Sequence, residues 1–100
     1  MIRHKFHAKP VERDGMKFPS TKEARYYDEL KLAQQAGIVS FFLRQVPFHV
    51  PGNIKVVVDF MVFYTDGTVR IIDVKGMKMK QYKRNKAIVE ALYPVQIEET

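Results

Sequence analysis

Residues 54–75 read Ile54-Lys55-Val56-Val57-Val58-Asp59-Phe60-Met61-Val62-Phe63-Tyr64-Thr65-Asp66-Gly67-Thr68-Val69-Arg70-Ile71-Ile72-Asp73-Val74-Lys75. Two runs of β-branched and aromatic residues flank Asp66-Gly67, a pair that readily takes the positive φ values of a tight hairpin turn. The stretch is therefore a β-hairpin, with strands predicted over 54–64 and 69–74. Each strand carries an Asp inside an apolar run, and Asp59 and Asp73 are equidistant from the turn at Asp66. Directly opposed residues of an antiparallel pair share a face, with Cβ atoms about 4.5–5.5 Å apart. An ionised carboxylate taken from water without a partner costs several kcal/mol. Two of them this close call for a cation, and a divalent metal prefers such hard oxygen ligands. Lys75 shares a face with Asp73, and a buried ion-pair cluster without metal is the alternative.

Outward from the hairpin, further elements are readable on both sides. Residues 41–50 form a preceding strand closed by the turn Pro51-Gly52-Asn53. Before it, Ser20-Thr21-Lys22-Glu23 has the form of a capping box, with Ser at the N-cap and Glu three residues on. The helix it opens runs to about Ala36, where Gly37 ends it with a positive φ. Ala24, Tyr27, Leu30 and Ala33 recur at helical spacing and predict the face laid on a sheet. After Gly76 a second helix is expected over about 79–92, stopped by Tyr93-Pro94. Residues 95–98 form a last short strand, parallel to its predecessor because a helix separates them. The fold class is α/β in the α+β sense: an αβββαβ core with a mixed central sheet flanked by helices. Met1 to Pro19 lacks periodicity, contains the turn signal Asp14-Gly15, and reads as a basic N-terminal arm or loop of a single domain spanning 1–100.

The chain has 100 residues, 17 Lys and Arg against 11 Asp and Glu, and a formal net charge of +6. With 46% hydrophobic residues it is too apolar for a disordered basic tail. The absence of cysteine removes any disulfide framework or thiolate zinc site. No apolar run reaches the roughly 18 residues of a membrane span, and the N-terminus lacks a secretory pattern. A cytoplasmic protein is expected. Lys75, Lys78, Lys80, Lys83, Arg84 and Lys86 form a block of six cations without an acid. Such a block suits a polyanion, which is held by neutralising its phosphates. Its alternative is a solvated helix face.

An Asp in one strand, Asp-x-Lys in the next and then a basic helix resemble the PD-(D/E)xK nuclease superfamily. Asp59, Asp73 and Lys75 match its pattern, and Glu23 fits its acid on the first helix. The αβββαβ order matches its restriction-endonuclease-like core over about residues 21–97. Within it, the chain resembles small phage endonucleases and Holliday-junction resolvases, and the runs Phe18 to Tyr27 and Asp73 to Lys78 look particularly like a phage endonuclease family. Val58 stands where the name-giving Pro would be, and Asp73 replaces the commoner Glu. The resemblance implies an Mg²⁺-dependent DNA endonuclease, with Mn²⁺ as a substitute metal, acting in DNA recombination on branched DNA, as a homodimer. It implies catalytic roles for Glu23, Asp59, Asp73 and Lys75. Asp59, Asp73, Glu23 and the Val74 carbonyl would be the metal ligands.

The chemistry suits those residue types. Phosphodiester hydrolysis needs a metal to neutralise developing charge and lower the pKa of attacking water, and Lys75 would orient the water or stabilise the transition state. Lys78, Lys80, Lys83 and Arg84, with Arg3, Lys5 and Lys9 of the arm, are the expected phosphate contacts. No element offers a base-reading set, so shape rather than sequence is the expected basis of recognition. Glu23 has a second explanation as the partner of the Ser20 cap. Gln45, polar within an apolar strand, has a hydrogen-bonded structural role as its first explanation. His4, His7 and His49 lack a metal-binding spacing. The competing function is a non-catalytic basic nucleic-acid-binding module, which has no reason to put Asp59 and Asp73 on facing strands.

Overall fold

A computed structural model describes residues 11–74 and 80–100, with the backbone alone for Lys80 and Gln81. Strands β1 (Val11–Arg13) and β2 (Met16–Phe18) form a small antiparallel hairpin, followed by helix α1 (Thr21–Gln35). Strands β3 (Val39–Val50), β4 (Ile54–Tyr64) and β5 (Val69–Asp73), helix α2 (Lys80–Leu92) and strand β6 (Ile97–Glu99) complete the chain. The larger sheet has the order β3-β4-β5-β6, antiparallel except for the parallel pair β5–β6. This is the mixed α and β architecture expected, with one correction at the N-terminus. From Val11 onward the segment read as an arm or loop is the β1–β2 hairpin. Asp14 and Gly15 supply positive φ at both turn positions, +52° and +79°, which a two-residue hairpin turn requires.

Local chemistry explains each boundary. The Ser20 hydroxyl accepts the Glu23 N–H at 3.1 Å, capping α1. At its other end Gly37, at φ +80°, lets the chain leave the helix without a Cβ clash. In the hairpin that sets the sheet, Asp66 accepts from the Thr68 N–H at 2.9 Å. Phe60 pairs with Ile72 and Phe63 with Val69, the register centred on that turn.

Two apolar clusters hold these elements. In one, Ala24, Tyr27 and Leu30 of α1 and Phe18 of β2 pack against Val39, Phe60, Val62 and Ile72 of the sheet. In the other, Val89 of α2 packs with Phe48, Val50, Val58, Ile71 and Ile97. Each buried aliphatic or aromatic side chain contributes about 1.5–3 kcal/mol relative to exposure. Strand β4 is paired unequally on its two edges. With β3 it pairs from Ile54 to Tyr64, but with β5 only from Phe60 to Phe63. Asp59 is the first residue beyond the end of the β4–β5 ladder.

Candidate functional site

Among the described residues three carboxylates are buried: Glu23 is 2% exposed, Asp59 6% and Asp73 2%. They come from the first turn of α1, the middle of β4 and the end of β5. Where β4 and β5 part, side chains take over the main-chain hydrogen bonding. Asp73 Oδ1 accepts the Asp59 N–H at 2.9 Å, and Asp59 Oδ2 accepts the Val74 N–H at 2.8 Å. Asp59 and Asp73 are thus joined as the hairpin register predicts. Each also has a partner that the opposition of two charges did not foresee, a backbone amide of the other strand. Such charge-assisted bonds are worth about 1.5–3 kcal/mol each and meet part of the cost of burial.

Glu23 approaches from the helix side. Its Oε2 lies 3.2 Å from Gln45 Nε2 and 3.5 Å from the Arg44 guanidinium. Arg44 also stacks over the Phe18 ring, 3.9 Å from its centroid. The Ser20 cap explains the position of the Glu23 backbone; its side chain turns toward β3. The same Gln45 Nε2 lies 3.4 Å from Asp59 Oδ1, so one carboxamide spans two of the buried acids. Gln45 has φ +53° inside a strand. Its neighbours pair normally, Arg44 with Phe60 and Val46 with Val58, while Gln45 itself, across from Asp59, leaves the ladder.

On the far side of Asp73 the parallel register sets Glu99 alongside it. Lys86 Nζ of α2 lies 3.8 Å from Glu99 Oε2. Tyr82 belongs to the same corner. Burial, then the negative charges of Asp73 and Glu99, push its hydroxyl pKa well above the usual value. The corner was not singled out from sequence; acids at 98–99 on a strand parallel to Asp73's were its only signal. Arg44 gave none beyond its place beside Gln45.

The remaining expected residues divide simply. Lys83 and Arg84 are exposed on α2, as a polyanion contact requires. Lys80 opens that helix, with only its backbone described. Lys75, Lys78, Arg3, Lys5 and Lys9 lie outside the described residues. An open groove of about 540 Å³, lined by Met61, Ile71, Tyr93 and Val95, lies apart from the three acids. The donor chemistry of Glu23, Asp59 and Asp73 fits a hard divalent cation. Among the described residues, no three acidic or imidazole groups gather closely enough to cage one as they stand. Gln45 fills the space between Glu23 and Asp59.

The chain is thus a small α+β fold with Glu23, Asp59 and Asp73 buried among its described residues. The chain belongs to the family described as a protein of unknown function (DUF1064), whose model matches residues 3–99. Comparison with curated proteins and with solved structures gives no match. No helix among the described residues is long and apolar enough to cross a membrane.

Proposed function

We propose that this protein is a metal-dependent endonuclease that hydrolyses DNA phosphodiester bonds, selective for branched DNA and working in the cytoplasm as a homodimer. The observation that carries the reading is the burial of Glu23, Asp59 and Asp73 around the point where β4 and β5 part. A chain of net charge +6 that needed only solubility would keep its acids at the surface. Bound Mg²⁺ would neutralise charge on the phosphate and acidify a water. Asp59 and Asp73 would hold it, with Glu23 and the Val74 carbonyl completing the donors, and backbone amides keep both Asp side chains in one orientation. Lys75 would hold the water or the charge developing on phosphate. Lys83 and Arg84, with Lys78, Lys80 and the basic N-terminal residues, would grip flanking phosphates. Cutting both strands of a duplex arm calls for two copies of the site.

One observation favours a second reading. Asp59 and Asp73 already serve the fold by accepting main-chain N–H groups, so a basic nucleic-acid-binding module without catalysis would also use them. A synthetic four-way junction and a matching linear duplex, each with and without Mg²⁺, separate the two. The expected result is cleavage of the junction only with Mg²⁺, lost in Asp59→Asn and Asp73→Asn while DNA binding in EDTA persists. Binding of both DNAs without cleavage under any divalent metal establishes the module instead.

A further inference from the structure

Gln45 has no part in the proposed hydrolysis, yet its geometry is the least ordinary among the described residues. Among the described residues, three other than glycine have positive φ: Asp14, Gln45 and Asn53. Asp14 and Asn53 sit in turns, where short polar side chains tolerate that conformation. Gln45 adopts it within β3, where an unbranched side chain gains nothing locally from it. Backbone strain of this kind persists only where the surroundings enforce it, and it concentrates at functional sites. Its consequence is visible. The residue drops out of the β3–β4 ladder, and its carboxamide reaches both Glu23 on α1 and Asp59 on β4. The two acids it touches are 2% and 6% exposed, whereas Gln45 itself is exposed. It stands between them and solvent.

We propose that Gln45 is a cation ligand, its amide oxygen completing the set formed by Glu23 and Asp59. The carboxamide carries a donor and an acceptor on opposite sides of one terminal bond. With Nε2 toward the acids it relieves their mutual repulsion by donating to both. A half-turn about the last side-chain bond brings Oε1 to nearly the same place, and a hard divalent ion accepts a neutral amide oxygen beside carboxylates. The same side chain thus bridges the acids without an ion and joins them in binding one. Arg44, ion-paired with Glu23 at 3.5 Å, offsets part of the negative charge of the pair, so a third oxygen ligand, neutral or charged, strengthens the hold on a divalent ion.

This inference rests on the proposed metal site, and its test separates the two. Mn²⁺ is titrated into the full-length protein, with free ion followed by electron paramagnetic resonance and folding by thermal denaturation in EDTA. Wild type is expected to bind Mn²⁺, Gln45→Ala to bind roughly tenfold more weakly while remaining folded, and Gln45→Glu to recover or exceed wild-type affinity. Recovery by Glu identifies an oxygen ligand, because a merely structural amide donor is not replaced by a carboxylate facing two others. Folded Gln45→Ala binding as tightly as wild type overturns the ligand role and leaves the metal site standing. Failure of wild type to bind Mn²⁺ overturns both.

Discussion

Apart from its place in the proposed metal site, Asp73 serves the fold, and substitutions can weigh that service. Its Oδ1 takes the Asp59 N–H at 2.9 Å in a position 2% exposed. Asp73→Ala leaves that buried N–H without its acceptor, which costs about 1–3 kcal/mol. Asp73→Asn keeps an amide oxygen in place and should retain most of that stability. Urea denaturation of the two variants should therefore show a clear loss for Ala and a much smaller one for Asn; equal losses would mean that charge, not hydrogen bonding, holds this corner. At this scale the acids were legible because Asp is conspicuous between Val, Ile and Phe, and their pairing followed from the hairpin register. The partners were not. Alternation describes a regular strand, and a Gln at φ +53° leaves the pattern without any residue type announcing it. Likewise, nothing local in Tyr82 or Glu99 tells of their meeting with Asp73, since that depends on where α2 crosses and how β6 registers on β5.

The β1–β2 hairpin is the element that the sequence hid, because two three-residue strands are too short to display a period. Its Asp14-Gly15 turn was legible; its attachment was not. Side chains bind it to α1. Arg13 Nε lies 3.0 Å from Asp28 Oδ2, and Asp14 Oδ2 accepts from the Tyr27 hydroxyl at 2.6 Å and from Lys31 Nζ at 2.7 Å. The hydrogen bonds from Lys31 and Tyr27 hold the Asp14 carboxyl below its ordinary pKa of 3.8. A depressed carboxyl stabilises the fold above its unfolded-state pKa, and that contribution fades as pH falls through the lower folded value. Attachment of the hairpin should thus be full above about pH 4 and weaken progressively below it. The pair is exposed and screened by salt, so the effect is local. Hydrogen exchange should show faster opening of hairpin amides in Asp14→Asn than in the parent at neutral pH, with the difference shrinking under acid conditions. The longer elements were legible almost to the residue. Strong turn signals bounded them: Gly37, Gly52-Asn53, Asp66-Gly67 and Tyr93-Pro94.

Across the whole molecule, charge is divided by location. Several acids are committed to cations within the fold: Glu98 to Arg70, Asp28 to Arg13, Asp14 to Lys31 and Glu99 to Lys86. Glu23 lies against Arg44 in the interior. Neutralised in place, these acids repel a polyanion weakly, and the field outside is set by cations such as Lys83 and Arg84, both exposed on α2. They follow directly on Tyr82, which lies beside Asp73, so a strand of DNA lying on this turn of the helix would pass close to the buried acids. Phosphate contacts release condensed counterions, and each duplex contact adds about 0.9 to the slope of log affinity against log salt. Lys83→Ala with Arg84→Ala should lower that slope by up to about 1.8 and weaken junction and linear duplex by the same factor. On the proposed reading these two side chains meet phosphates rather than a branch. Fluorescence anisotropy over a salt series, in EDTA so that nothing is cut, gives both quantities. An unchanged slope makes this face of α2 a solvated surface and moves the DNA contact elsewhere. A slope reduced for the junction alone makes α2 the element that senses the branch.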